Sequence, residues 1–114
     1  MATAFNIDKN SKSILPHSTL LNDSDSIVTF EDAISKINSG DILYCEFSDS
    51  ISFLLKVKKV VNYQKGLAFQ YDFMLNRYNK LYQDSWCYSE YCRFATAEEV
   101  KILKKKVKYH KKKL

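Results

Sequence analysis

Glycine and proline are nearly missing from this chain, which has two of the first and one of the second. That scarcity excludes collagen-like and loop-dominated architectures. Gly40 and Gly66 stand too far apart to build a Gly-x-Gly-x-x-Gly turn or a phosphate-cradling Walker loop. His-Glu-x-x-His, Gly-x-Ser-x-Gly and Cys-x-x-Cys do not occur either. The three cysteines, Cys45, Cys87 and Cys92, are an odd number. A disulfide framework needs an even one, so reduced thiols and an intracellular origin are expected. Long apolar runs are absent too: the longest, Ile51 to Val61, is broken by Lys56, Lys58 and Lys59 and is too short and charged to span a bilayer. Met1 to Asp8 carries no basic stretch ahead of an apolar core, which argues against a secretory leader. These absences predict a soluble, cytoplasmic chain with no membrane partner, or one made in a cytoplasm and later assembled into something.

Acidic residues stop at Glu99, whereas eight of the eighteen Lys and Arg residues lie between Lys101 and Leu114. The first hundred residues therefore hold ten basic against thirteen acidic side chains, and the net charge of +5 comes from the end of the chain. A mildly acidic body carries a basic segment, so an electrostatic partner is expected to meet that segment. Hydrophobic content of 46% suffices for a core, and the 14% aromatic content favours pleated surfaces over helices. A length of 114 residues accommodates one core.

Along the chain, residues 1–26 are rich in Asn, Ser, Asp and Thr and read as an arm, with Phe5, Ile7, Leu15 and Leu20 available to dock on a neighbour. Thr29 to Gly40 reads as a short helix with Thr29 as N-cap, Phe30, Ala33, Ile34 and Ile37 on one face, and Gly40 as its stop. Ile42 to Phe47 is an apolar strand interrupted only by Glu46. Ile51 to Tyr63 alternates, with Leu54 and Val60 out of phase. Gln64 to Gly66 reads as a hairpin turn, and Leu67 to Leu75 alternates again. Asn76 to Asp84 reads as a polar connection. Trp86 to Phe94 reads as the last strand, with Trp86, Tyr88, Cys92 and Phe94 on one side, Cys87, Tyr91 and Arg93 on the other, and Glu90 marking an edge or bulge. Thr96-x-x-Glu99 is a capping box, followed by an apolar stripe of Val100, Leu103 and Val107.

The expected fold is α+β: a small antiparallel, SH3-like, partly closed β-barrel flanked by a short N-terminal helix and a basic C-terminal helix. The expected organisation is an arm (1–26), a barrel with flanking helices (27–107) and a lysine-rich tail (108–114).

Gly40-Asp-Ile-Leu-Tyr44 entering the first strand, Trp86, and Arg93-Phe-Ala-Thr-Ala-Glu-Glu99 opening the terminal helix are the residues that carry a resemblance. Over residues 39–107 the chain resembles small, largely uncharacterised β-barrel proteins of gut anaerobic bacteria and their phages. The resemblance implies the barrel and a phage setting, with a host cytoplasm or virion as the location. It implies no catalytic residues. The arm and the lysine-rich end depart from that pattern.

No catalytic, cofactor or metal site is expected. Asp41, Glu46, Asp72 and Asp84 are scattered, and alternation aims Cys87 and Cys92 at opposite faces. His17 and His110 lie in the terminal segments, a poor setting for a rigid base. The candidate contacts are Lys104, Lys105, Lys106, Lys108, Lys111, Lys112 and Lys113, toward an acidic surface or phosphates, with Tyr78, Tyr82 and Tyr91 as exposed rings. Lysine without arginine beyond Arg93 argues against base readout, so any nucleic-acid contact would be sequence-nonspecific. The leading expectation is a non-enzymatic interaction module, a phage structural or accessory protein meeting an acidic partner through its arm and basic helix. Sequence-nonspecific nucleic-acid binding, and inhibition of a host enzyme by occlusion, are the alternatives.

Overall fold

The computed structural model describes residues 27, 29–48, 51–63 and 66–113. The arm, residues 1–26, and the turn residues 64–65 lie outside them. Helix α1 (Phe30–Lys36) is followed by β1 (Ile42–Phe47), β2 (Ile51–Tyr63), β3 (Gly66–Asn76), β4 (Leu81–Ser89), β5 (Tyr91–Phe94) and helix α2 (Ala97–Lys113). The five strands form one antiparallel sheet in the order β4-β3-β2-β1-β5. The sheet is not closed. It curls until Phe47 of β1 stacks on Tyr88 of β4, ring centroids 6.0 Å apart, consistent with a small, partly open barrel.

Helix α1 begins as its sequence dictates. The Thr29 hydroxyl accepts the Asp32 N–H at 3.0 Å, and Glu31 and Asp32 occupy the positive end of the dipole. It stops at Lys36, earlier than expected. Asn38 donates its N–H to the Asp41 carboxylate at 2.8 Å, which starts a turn instead of another helical residue. Gly40 sits in that turn at φ +98, where a side chain would be strained. Ala33 and Ile37 are buried as expected, whereas Ile34 is exposed.

Strand β1, apolar apart from Glu46, is covered on both faces as that pattern implies, and the centre of β2 and β3, read as alternating, is covered on both faces too. Leu43, Cys45, Phe53, Leu55, Val57, Leu67, Phe69, Tyr71 and Cys92 make the inner core, with Ile27, Ala33 and Ile37 packed on it. Tyr44, Leu54 and Leu75 point the other way and make a second core against Leu103 of α2. Leu54 was out of phase because its face is covered too.

Val60 was out of phase for a different reason. Pairing of β2 with β3 slips twice, so that Lys58 and Asp72 face no direct partner. Asp84, beside them on β4, has φ +54. Each strand thus carries one extra residue on the same line, and inward-facing positions change parity there: Val57 to Val60 on β2, Met74 to Tyr71 on β3. Such aligned bulges crease a sheet and help it curl. The three residues at the crease pair by charge, Lys58 Nζ lying 3.8 Å from Asp72 and 3.5 Å from Asp84. Asp72 and Asp84, expected to be scattered, are brought together there.

The region read as one last strand is two. Glu90 separates β4 from β5, its carboxylate accepting the Ser48 N–H at 2.8 Å, and β5 returns to pair with β1. The expected long connection shortens to a tight turn, in which the Asn76 side chain accepts the N–H groups of Tyr78 and Lys80 at 2.9 Å. Because the chain breaks at Glu90, Cys87 and Cys92 both pack on the inner core, a correction to their expected opposite facing. Phe94 and Trp86, read as sharing one side with Cys92, are 44% and 53% exposed, whereas Cys92 is buried.

Candidate functional site

The terminal helix is fixed by its first turn. Thr96 N–H donates to the Glu99 carboxylate at 2.8 Å and Glu99 N–H donates to the Thr96 hydroxyl at 3.2 Å, the expected capping box. Arg93 of β5 adds what the sequence did not show. Its two terminal nitrogens donate to the two Glu99 oxygens at 2.8 and 3.0 Å, while its guanidinium lies 4.3 Å from the centroid of the Tyr44 ring. Tyr44 donates its hydroxyl to the buried Glu46 carboxylate at 2.8 Å. Burial works to raise the Glu99 carboxyl, but the Arg93 guanidinium and the Thr96 N–H outweigh it and hold the group below its ordinary value. The same burial, with Glu46 beside it, raises the Tyr44 hydroxyl.

This anchor lays α2 across the outer face of the sheet. Leu103 packs on Leu54 and Leu75, and Ile102 and Val107 flank it. The helix then continues to Lys113, so most of the expected tail is helical. Beyond Leu103 the helix and sheet leave a groove of about 660 Å³ between them, lined by Gly40, Ile42, Lys56, Phe73, Leu103, Lys104, Val107, Lys108, Lys111 and Lys112. Ile42, Phe73, Leu103 and Val107 form its floor. Lys104, Lys108 and Lys112 fall at successive turns on one flank of the helix, about 6 Å apart along its axis, with Lys111 beside Lys112. Lys56 faces them from β2. No carboxylate is among the described lining residues. The Lys111 ammonium lies 5.8 Å from the centroid of the Phe73 ring.

The structure divides the expected lysines. Lys105 and Lys106 belong to the other flank, with Ile102, Tyr109 and Asn79, and the Lys106 ammonium lies over the Tyr109 ring. The Lys113 side chain lies outside the described residues. Lys56, Ile42 and Phe73 were missed as contacts. The available signal was Leu54, an apolar residue beside Lys56 on a face otherwise read as solvated.

Tyr78, Tyr82 and Tyr91 are exposed as expected, at 39%, 38% and 45%. They are not gathered. Tyr78 is in the β3–β4 turn, Tyr82 on β4 and Tyr91 on β5, at the opposite edge of the strand order. The gathered rings are others. Trp86 meets Tyr88 edge-on at 5.1 Å, and Tyr63 meets Tyr88 at 4.9 Å. Beside them a cleft is lined by Phe47, Ile51, Phe53, Met74, Tyr82 and Trp86, with no lysine or arginine among the described lining residues.

The thiols meet as well. Cys45 and Cys92 face each other across β1 and β5, both fully buried. Burial, with Cys92 beside it, pushes the Cys45 thiol well up, and burial pushes Cys87 up to about 12. A thiol held neutral is a poor nucleophile. Among the described residues no group of three His, Cys, Asp or Glu side chains is placed to hold a metal ion. His110 lies 3.4 Å from the Gln83 side chain and ties the helix end to β4. Among the described residues no helix is long and apolar enough to cross a membrane.

Comparison with protein-family models, with curated proteins and with solved structures found no match.

Proposed function

We propose that this chain is a non-enzymatic interaction module whose basic terminal helix contacts an acidic partner. One observation carries the reading: four lysines of α2 and Lys56 of β2 surround a single groove that no described carboxylate lines. Like charges held this close repel, and an anionic partner relieves that repulsion. The anchor supports it further. The paired Arg93 and Glu99 fix the helix on the sheet, so its lysines present one fixed pattern. The resemblance to bacterial and phage barrels makes a phage structural or accessory role the setting we favour, and the strand order, with β5 returning to β1, supports an SH3-like reading of the barrel.

The test is binding of fluorescent polyglutamate to the full chain and to a variant carrying Gln in place of Lys104, Lys108, Lys111 and Lys112. Salt-sensitive binding that the variant loses is the expected outcome. Binding that the variant keeps would move the contact elsewhere.

A second reading, sequence-nonspecific nucleic-acid binding, draws on the exposed Trp86 beside Tyr63 and Tyr88, a surface on which bases could stack. Among the described residues the adjoining cleft lacks the cations that usually accompany stacking, so we rank it second. Oligothymidylate binding quenched by loss of Trp86, with a steep salt slope, would reverse that order.

A further inference from the structure

The groove differs from a merely basic surface because its cations enclose apolar side chains. Leu103 at its head is buried, whereas Val107, Ile42 and Phe73 are only half-buried. Apolar surface left open between charged groups gains free energy when an apolar group covers it. The rim asks for something different, several negative charges at once, since it holds five lysines from two elements.

We infer, building on the acidic-partner reading above, that the groove binds a short acidic protein segment built around one large apolar side chain. That side chain enters between Phe73 and Val107. Carboxylates on either side of it reach Lys56 across the groove and Lys104, Lys108, Lys111 and Lys112 along the helix. The spacing suits this occupant. Helix turns place Lys104, Lys108 and Lys112 about 6 Å apart, and same-face residues of an extended peptide lie about 6.6 Å apart.

A phosphodiester chain fits less well. It supplies charge but offers the floor only sugar carbons and base methyl groups, smaller than one large apolar side chain. Phe73 is the one ring among the described floor residues, so the groove offers no succession of rings on which neighbouring bases could stack.

The experiment uses fluorescence anisotropy with the full chain and three probes: an acidic peptide with one Phe between runs of Asp and Glu, the same peptide with Ala in place of Phe, and an oligothymidylate. The Phe peptide should bind about tenfold more tightly than the Ala peptide, the effect of covering one aromatic side chain. Lys56→Glu, an exposed site expected to leave the melting temperature unchanged, should weaken the Phe peptide about tenfold. Lys105→Glu, on the far flank, should change it less than about twofold. Equal binding of the two peptides, both lost when Lys104 and Lys108 become Gln, would overturn the groove while leaving the basic-helix reading intact. No binding of either peptide would overturn both. Oligothymidylate binding more tightly than the Phe peptide, and indifferent to Phe73→Ala, would make the surface a phosphate site and overturn the inference.

Discussion

Arg93 holds Glu99 through two charged hydrogen bonds, at 2.8 and 3.0 Å, across the junction of the last strand and the terminal helix. The pair is nearly buried, with side-chain exposures of 19% and 6%. It does what the capping box alone does not. The box starts the helix, whereas the pair fixes its direction relative to β5 and, through Tyr44, to β1. The cationic groove exists because that direction is fixed.

Removing Arg93 leaves Glu99 buried with only the Thr96 contacts. Arg93→Ala should cost roughly 2–3 kcal/mol, the range for hydrogen bonds to a charged partner. Thr96→Ala should cost only about 1 kcal/mol, as for an N-cap. Urea denaturation of both variants checks the ranking, and an Arg93→Ala loss no larger than that of Thr96→Ala would show the pair to be incidental.

Acid should weaken the same junction. The Glu99 carboxyl is held below its ordinary value in the folded chain. A depressed carboxyl contributes stability that is complete above the unfolded value and is lost as pH falls through the folded one. Melting temperature should therefore fall below about pH 4.3, the ordinary Glu value, and Glu99→Gln should flatten that fall. An identical acid limb in the variant would place the sensitivity in other groups.

At the crease, conformation should matter more than charge. Asp84 has φ +54 and a mostly exposed side chain. Lys58→Ala should change stability by less than about 0.5 kcal/mol, as exposed pairs do. Asp84→Gly should be close to neutral, because glycine gains the left-handed backbone while losing the weak pair. Asp84→Val should cost about 1–2 kcal/mol, since a β-branched residue resists that backbone. Thermal melts of the three variants test the order.

The thiols should react only when the fold opens. Cys45 and Cys92 are fully buried and Cys87 is pushed up to about 12. Ellman's reagent at pH 8 should label the native chain slowly and all three cysteines rapidly in denaturant. Fast native labelling of one site would identify a mobile strand, with β5 the first to examine.

Much of this fold is legible in the sequence. Alternation in β2 and β3, the Thr29 cap and the Thr96–Glu99 box depend on neighbours a few residues apart, so their patterns lie along the chain. What was not legible depends on pairs far apart in sequence. The parity change at Lys58, Asp72 and Asp84 takes three strands to form, and along one strand it looks like an error at Val60. The break at Glu90 depends on Ser48, which is distant in the chain. The lysines of α2 were plain from charge alone. The groove was not, because its other wall is Lys56 and Phe73, which only the sheet brings beneath the helix.

The most direct test of the account is a two-dimensional amide NMR titration of the isotope-labelled full chain with the Phe-centred acidic peptide. Shifts concentrated at Ile42, Lys56, Phe73, Lys104, Val107 and Lys108, reaching saturation together, are the predicted result. Shifts confined to Trp86, Tyr63 and Tyr82, or spread evenly over lysines on both flanks of α2, would contradict it.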